Sequence, residues 1–380
     1  MQSTDKSTFA ARADGSRRAH SLRLVNLVKK YGALSAVDNV SLDIARGEFL
    51  TLLGPSGSGK TTLLMMLAGF VMPTSGHIEV DDQDVTHLPP ERRNFGMVFQ
   101  GYALFPHMTV ADNIAYPLKV RSVAKDEIAR RVAWAMSLVR LGGFGERYPR
   151  QLSGGQQQRV AIARALVFDP LVVLFDEPLG ALDRKLRAEV QAEFKTLHQE
   201  LGTTFVYVTH DQEEALSMSD RIAIVDGGHI IQAGRPDELY ERPRTRFVAN
   251  FLGTSNCFAG KVAGRDGEAI VIDVAGARIR HRGAAAEDCA AGRDVAFALR
   301  PEKLKLAPAA REDLNSVRGT IADVTYLGAN LHVSVETEAL GRLAVTMPAW
   351  SEGGTPVAGA ETWVSWPSNA TVVLADEVAA

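Results

Sequence analysis

The sequence predicts an α/β domain over residues 21–251, followed by an all-β domain over residues 252–380. Two observations carry this prediction. Up to about residue 250, short apolar runs typical of buried strands alternate with segments whose apolar residues recur at helical spacing. From about residue 252, short alternating segments punctuated by Gly, Ala, Asp and Pro replace the helical pattern, as in small β-barrels. We therefore expect a domain boundary near residues 245–256.

The elements of the first domain are predicted from periodicity. Residues 22–30 and 40–52 are predicted as strands that pair with each other. Residues 125–141 carry apolar positions at the spacing of an amphipathic helix, and residues 186–200 read as a charged helix. Buried strands are expected at the short apolar runs 171–176, 205–208 and 222–225.

The second domain is predicted as an OB-like barrel that could hold two barrel-like halves. Helical periodicity is nearly absent from it, and turn residues separate its short segments. The expected strands are Ala269–Val274, Val295–Leu299, Gly319–Val324, Leu331–Val335, Leu343–Thr346 and Thr362–Trp366.

Composition excludes several classes of protein. The chain is 46% hydrophobic and 23% charged, which is ordinary for a soluble globular protein. Its net charge of −3, from 42 basic and 45 acidic residues, argues against a nucleic-acid partner. The cysteines Cys257 and Cys289 form no CxxC pair. Neither a disulfide framework nor a zinc site is therefore indicated, and a reducing cytoplasm fits.

Membrane and targeting signals are not found in the sequence. No apolar run approaches the length of a membrane span. Residues 1–20 are polar and contain no hydrophobic core of a secretory signal, so we predict a disordered N-terminal tail. Any association with a membrane is therefore expected to come through a partner.

A glycine-rich segment at residues 54–61, Gly-Pro-Ser-Gly-Ser-Gly-Lys-Thr, fits the pattern G-x-x-x-x-G-K-[ST]. Its glycines let several backbone N–H groups converge on one anion. Lys60 adds a positive charge for the outer phosphates, and Thr61 offers a hydroxyl to Mg²⁺. We therefore predict that nucleotide phosphates contact Gly54, Pro55, Ser56, Gly57, Ser58, Gly59, Lys60, Thr61 and Thr62.

The surroundings of this loop support the P-loop interpretation. The apolar strand 49–53 precedes it, and a helix over residues 62–68 follows, with Gly69 as its expected C-cap. A glycine-rich turn without a ligand would need neither the Lys-Thr pair nor a helix N-terminus aimed at it.

Two further segments carry chemistry. Residues 152–156, Leu-Ser-Gly-Gly-Gln, precede a strong helix and form a second anion receptor, although alone they could be a simple helix entry. The buried strand 171–175 ends in Asp176 and Glu177. Asp176 can hold the shell of Mg²⁺, and Glu177 can polarise a water for attack on the γ-phosphate. One acid often marks where a strand enters solvent, but two acids in a chain with a P-loop favour the catalytic interpretation.

These motifs, in this order, resemble the ATPase subunits of ABC transporters over almost the whole chain. The resemblance implies a P-loop NTPase cassette with a helical subdomain at about residues 101–160, and ATP and Mg²⁺ as its ligands. It also implies that residues of the 152–156 segment contact the nucleotide, namely Ser153, Gly154, Gly155 and Gln156.

The resemblance assigns roles to residues that would mean little alone. Tyr31 is implied to stack on adenine, with a half-exposed strand tyrosine as the alternative. Gln100 is implied to contact Mg²⁺ and the attacking water, Asp183 to link two active sites, and His210 to contact the γ-phosphate. The implied catalytic residues are Glu177, His210, Gln100 and Lys60, and the implied metal residues are Thr61, Gln100 and Asp176.

The resemblance also implies an assembly. In this family the Ser-Gly-Gly segment of one subunit closes over the ATP held by the P-loop of the other, which implies a homodimer. Two integral-membrane permease subunits would contact the region between Gln100 and Ser153, and a periplasmic or extracellular solute-binding protein would deliver the cargo. The chain would then lie at the cytoplasmic face of the bacterial inner membrane, as a peripheral subunit.

The C-terminal tail resembles the TOBE-type accessory domain of importer ATPases. Residues 235–243, 247–253, 299–302 and 326–328 favour the spermidine/putrescine importers, so the expected function is ATP hydrolysis that energises polyamine import. The same short motifs occur in sugar and iron importers, which remain alternatives. An ATPase of an exporter, or a soluble ABC ATPase acting on ribosomes or DNA, fits less well, because exporters usually lack the tail and soluble members usually fuse two cassettes.

Overall fold

In the computed structural model, the described residues are 19–180, 184–283, 290–350 and 354–375. The chain divides into two compact units between Pro236 and Asp237. This division precedes the boundary expected near residues 245–256. The tail expected over residues 1–20 lies outside the described residues except for its last two positions.

Two sheets organise the first unit. Its strands are β1 (Leu22–Tyr31), β2 (Leu34–Ile44), β3 (Phe49–Leu53), β4 (Ser75–Val80), β5 (Gln83–Asp84), β6 (Gly96–Val98), β7 (Val172–Asp176), β8 (Thr204–Thr209), β9 (Arg221–Asp226) and β10 (His229–Gly234). One sheet has the order β10-β9-β3-β8-β7-β6 and the other the order β2-β1-β4-β5. In the first sheet only β10 pairs antiparallel with its neighbour.

The parallel strands place the site. Strands β3, β8 and β7 are adjacent, with Leu53 opposite Thr209 and Asp176 opposite Val208. Because parallel strands share one carboxyl edge, the segments that follow these three strands emerge together. All residues of β3, β7 and β8 are buried, so the edge is held by a rigid apolar layer.

Helices pack around these sheets. They are α1 (Lys60–Ala68), α2 (Pro90–Arg93), α3 (Val110–Val120), α4 (Lys125–Leu138), α5 (Gly154–Leu166), α6 (Arg184–Leu201) and α7 (Gln212–Met218). Helix α1 ends at Gly69, as predicted, with φ 83° and its N–H donating to the carbonyls of Met65 and Met66. The predicted helices at 125–141 and 186–200 correspond to α4 and α6.

One strand prediction was wrong. Residues 40–52 do not form a single strand that pairs with 22–30. Only β2 pairs with β1, whereas β3 belongs to the other sheet. The chain turns between them at Gly47, whose φ of 70° is left-handed. Because apolar residues lie on both sides of this turn, the periodicity of the sequence predicted one continuous strand.

The second unit is all-β apart from short helices. These are α8 (Pro236–Glu241), which begins at the last residue before the division, and α9 (Arg246–Phe251). The strands are β11 (Asn256–Asp266), β12 (Ala269–Val274), β13 (Ala277–His281), β14 (Asp294–Leu299), β15 (Lys305–Ala307), β16 (Asn315–Tyr326), β17 (Asn330–Thr337), β18 (Gly341–Pro348), β19 (Glu361–Trp366) and β20 (Thr371–Leu374). Each strand predicted in this region is present.

Two five-stranded antiparallel sheets form this unit, in the orders β13-β12-β11-β14-β20 and β15-β19-β16-β17-β18. Buried side chains of both sheets share one core, among them Ile270, Phe297, Val333 and Trp366. Across the described part of the chain, no helix is both long and apolar enough to span a membrane.

Candidate active site

The lysine of the glycine-rich loop is held by the loop itself. Lys60 is the first residue of α1 and is 4% exposed. Its Nζ donates to the carbonyl oxygens of Gly54 and Pro55, each at 2.8 Å, and to Oγ of Ser58 at 3.3 Å. Burial lowers the pKa of Lys60, and the nearby carboxylates of Glu177 and Asp176 oppose that shift. The ammonium group is therefore buried, poorly solvated and bound mainly by neutral oxygens.

Two glycines of the loop fit against neighbouring backbone. A Cβ at Gly54 would lie 2.0 Å from the carbonyl oxygen of Val225, and a Cβ at Gly59 would lie 2.3 Å from that of Ala36. Gly57 has φ 81° but open space around it. Gly54 therefore serves close packing, Gly57 serves the left-handed turn, and Gly59, whose φ is 100°, serves both.

The rest of the loop is more open. Ser56, Gly57 and Thr61 are exposed, Thr62 is half-buried, and Ser58 is buried. The exposed N-terminal turn of α1 can therefore offer backbone N–H groups to an anion.

Thr61 and Asp176 meet at the carboxyl edge of the sheet. Oγ1 of Thr61 donates to Oδ1 of Asp176 at 3.2 Å. Asp176 is 9% exposed, and burial raises its pKa, while the bond from Thr61 acts in the opposite direction. A buried carboxylate beside a hydroxyl is a suitable pair of oxygen ligands for a hard divalent cation.

Glu177 is the centre of a second group of polar side chains. Its Oε2 accepts a hydrogen bond from Nε2 of Gln100 at 3.3 Å, and its Oε1 lies 3.2 Å from Nδ1 of His210. Its own N–H donates to the carbonyl of Val208 at 3.0 Å, and its φ is 43°. The structure therefore brings together three residues that lie far apart in the sequence, on the segments that follow β6, β7 and β8.

A buried carboxylate supports the segment that carries His210, and sequence reasoning missed it. Glu214 is 3% exposed, and its Oε2 accepts hydrogen bonds from Tyr207 Oη at 2.9 Å and Thr209 Oγ1 at 2.8 Å. Burial raises the pKa of Glu214, against the effect of both hydroxyl bonds. Asp211 caps α7 by accepting from the N–H groups of Glu213 and Glu214. The Asp-x-Glu-Glu spacing was the available signal, since it is typical of a helix start.

The Ser-Gly-Gly segment forms a helix N-terminus of its own. Oγ of Ser153 accepts from the N–H of Gln156 at 3.3 Å, and the N–H of Ser153 donates to Oε1 of Gln156 at 3.0 Å. This reciprocal capping box opens α5, with Gly154 exposed and Gly155 buried. Among the described residues, no hydrogen bond joins Ser153 or Gln156 to the loop 54–61.

The remaining predicted residues are placed as follows. Tyr31 ends β1 and is 51% exposed, with Nζ of Lys29 5.0 Å from its ring centroid. Its proposed stacking on adenine stays a prediction. Asp183 lies outside the described residues.

Comparison with known proteins identifies the family. The model of the family described as ABC transporter matches residues 37–180, and that described as TOBE domain matches residues 297–374. A protein of Rubrobacter xylanophilus named "Spermidine/putrescine import ATP-binding protein PotA" is 46% identical over 375 residues, which are 98% of each chain. The chain belongs to the family of ABC transporter ATP-binding proteins. The predicted cassette followed by an OB-like all-β domain is therefore confirmed.

Other members of the ABC family agree with this assignment. A protein of Pseudomonas aeruginosa with the same name is 50% identical over 336 residues, 88% of this chain and 92% of that one. Among solved structures, a dimeric post-hydrolysis state of an ATP-binding cassette, bound to ADP and Pi, matches with TM-score 0.51 and 35% identity. The match covers 57% of this chain and 98% of that chain. The prediction that this chain is an ATP-binding protein is confirmed.

Proposed function

We propose that this chain is the ATP-hydrolysing subunit of an ABC importer for the polyamines spermidine and putrescine. The observation that carries the hydrolytic role is the contact of Glu177 with both Gln100 and His210 beside the P-loop. The cargo is supported by relatives named as spermidine/putrescine import ATP-binding proteins, which share 44–51% identity with this chain over most of its length.

Triphosphate binding rests on the P-loop. The N–H groups at the start of α1 and the ammonium of Lys60 would hold the phosphate oxygens, because a helix N-terminus and a buried cation both favour negative charge. Lys60 would exchange its bonds with the carbonyls of Gly54 and Pro55 for bonds to phosphate. Burial strengthens that attraction because water screens it less.

The residues present fit a Mg²⁺ ion. Thr61 and Asp176 offer a hydroxyl and a carboxylate that contact each other, and Gln100 has an amide oxygen in addition to the Nε2 that bonds Glu177. Mg²⁺ takes many of its ligands from phosphate and water, so a few oxygen ligands from the protein are enough for it. When bound, Mg²⁺ would neutralise charge on the phosphates.

The hydrolytic step rests on Glu177. Its carboxylate would accept the proton of the attacking water. His210 and Gln100 would orient this carboxylate, and His210 would also contact the γ-phosphate. Both contacts to Glu177 come from segments that follow different strands, so the carboxylate is held from two sides.

The assembly completes the site. We propose that a second copy supplies the Ser153 segment and that two ATP sites form in a homodimer, supported by the similarity of this chain to a dimeric ATP-binding cassette. Two integral-membrane permease subunits and, through them, a solute-binding protein would complete an importer, with this chain at the cytoplasmic face of the membrane. We propose no nucleic-acid partner.

Transport assays test the function. The chain is co-expressed with candidate permease and binding proteins and reconstituted in vesicles, and the uptake of labelled spermidine, putrescine, maltose and Fe³⁺ is compared. We expect ATP-dependent polyamine uptake that Glu177→Gln abolishes. Uptake of only sugar or iron would reject the cargo, and uptake unaffected by the substitution would reject the role of the chain.

A further inference from the structure

The loop that follows Gln100 contains two adjacent residues in a left-handed conformation. Tyr102 has φ 61° and Ala103 has φ 48°, and neither is glycine. This conformation is unfavourable for residues that carry a Cβ, and two in succession persist only where surrounding groups hold them. Two backbone hydrogen bonds between residues close in sequence form this turn. The N–H of Tyr102 donates to the carbonyl of Phe99 at 2.9 Å, and the N–H of Ala103 donates to the carbonyl of Gly101 at 2.7 Å.

One arginine holds this turn. Nη1 of Arg164 donates to the carbonyl of Ala103 at 2.7 Å, and Nη2 donates to the carbonyl of Tyr102 at 2.8 Å. The guanidinium carbon also lies 5.7 Å from the ring centroid of Phe105. A planar guanidinium fork donates to two successive carbonyls from two separate nitrogens in a fixed geometry, whereas an ammonium group donates from a single nitrogen.

A second side chain fixes the next part of the loop. Asn113 on α3 is fully buried and accepts a hydrogen bond from the N–H of Phe105 at 2.9 Å. Its Nδ2 donates to the carbonyls of Phe105, Met108 and Thr109 at 3.0–3.2 Å. The backbone of residues 102–109 is therefore bound to α3 and α5, whereas Gln100 contacts Glu177 across the site.

Arg164 lies on the helix that Ser153 caps. The two residues are eleven positions apart, about 16 Å along a helix axis. The helix α5 thus carries the Ser-Gly-Gly segment at its N-terminal end and, through Arg164 near its other end, binds the loop that follows Gln100.

We propose that Arg164 is a positioning residue, which holds the Tyr102-Ala103 turn on α5 so that the Gln100 loop and Ser153 move as one body. The importance of this link for turnover rests on the proposed function. The link itself is a property of the unliganded chain.

The test is a mutant cycle in the full-length chain. Arg164→Ala, Ala103→Gly and the double variant are compared by amide hydrogen exchange of peptides covering residues 99–106, without nucleotide. Arg121→Ala is the matched control, because Arg121 is also half-buried and lies 4.0 Å from an aromatic ring, that of Phe168, but binds the carbonyl of Pro117 instead.

We expect Arg164→Ala to speed exchange in this peptide by about tenfold to a hundredfold, as for one or two lost charge-assisted hydrogen bonds. The increase should be smaller in the Ala103→Gly background, because glycine adopts the left-handed conformation without help. Arg164→Lys should be intermediate, and Arg121→Ala should leave the peptide unchanged. In ATPase assays Arg164→Ala should lower kcat while KM for ATP stays nearly constant.

Three results would overturn the proposal. The first is an exchange rate of the 99–106 peptides that Arg164→Ala leaves unchanged. The second is an Arg164→Ala variant that raises the exchange rate equally throughout the first unit. The third is an effect of Arg164→Ala on these peptides that is as large with Gly at position 103 as with Ala. The exchange measurements need neither ATP nor cargo. A chain that fails to hydrolyse ATP or to import polyamines would therefore reject the proposed function and leave this test intact.

Discussion

The imidazole Nδ1 of His210 lies 3.2 Å from the carboxylate Oε1 of Glu177. Gln100 binds the other carboxylate oxygen, so each oxygen of Glu177 has its own partner. Asp176, the neighbouring acid, instead contacts Thr61 of the P-loop helix. Two adjacent carboxylates are thereby directed to different partners, one suited to a cation and the other to a water molecule.

Glu177→Gln should retain ATP binding and lower kcat about 10²–10⁴-fold, because the amide keeps the shape of the side chain but accepts no proton. Phosphate release measures kcat, and fluorescence titration with a labelled nucleotide measures binding. Glu213→Gln is the control, since Glu213 is exposed at the start of α7. Hydrolysis by the Glu177 variant at the wild-type rate would remove this residue from the role of base.

Lys60→Ala should weaken ATP binding by about 2–5 kcal/mol, as for loss of a buried charge partner. It should also lower Tm slightly, because the Nζ bonds to Gly54 and Pro55 are lost. Isothermal titration calorimetry checks the first effect. Lys119→Ala, which removes an exposed ammonium paired with Asp112, should change neither quantity appreciably. Normal ATP affinity in the Lys60 variant would contradict its role as a phosphate ligand.

Two glycines of the P-loop should respond differently to alanine. Gly57→Ala adds backbone strain only, about 1–2 kcal/mol, because its φ of 81° is left-handed and its surroundings are open. Gly59→Ala adds the same kind of strain and a Cβ 2.3 Å from a carbonyl oxygen, so its loss of stability should be larger. Thermal unfolding of both variants tests this order. Equal Tm values would show that the backbone at Gly59 relaxes freely.

The buried Glu214 predicts a pH dependence. Because burial raises its pKa, the folded chain holds this proton at pH values where the unfolded chain has released it. Stability of the wild type should therefore fall, relative to Glu214→Gln, as pH rises above the ordinary glutamate pKa of 4.5. Urea midpoints of the first unit's unfolding between pH 4.5 and 7.5 measure the difference. Glu213→Gln, an exposed substitution on the same helix, is the control. A Glu214→Gln variant with the same pH dependence as the wild type would contradict the assignment.

The sequence predicted the parts of the site that lie within short motifs. The P-loop, its helix and the Asp176-Glu177 strand end all depend on neighbouring residues, so spacing alone indicates them. Local patterns also predicted β12, β14, β16, β17, β18 and β19 of the second unit, because alternation and turn residues mark these strands, whereas β11, β13, β15 and β20 were not predicted.

Features that depend on distant contacts escaped the sequence. In the sequence, Arg164 cannot be distinguished from any other arginine on a helix. Only the folded chain shows that its guanidinium donates hydrogen bonds to the carbonyls of Tyr102 and Ala103. Glu214 reads as a surface acid of α7, yet the hydroxyls of Tyr207 and Thr209 come to it from β8. Charge and spacing cannot distinguish a solvated side chain from one that a neighbouring strand covers.

Sedimentation velocity tests most directly the claim that the Ser-Gly-Gly segment of one copy closes on the ATP of another. Ser153→Asp keeps a side chain that caps α5 but places a carboxylate where the triphosphate would lie. Glu177→Gln should become a dimer when ATP is added, and the Ser153→Asp, Glu177→Gln double variant should bind ATP yet remain a monomer. Equal dimer formation by both proteins would contradict the account.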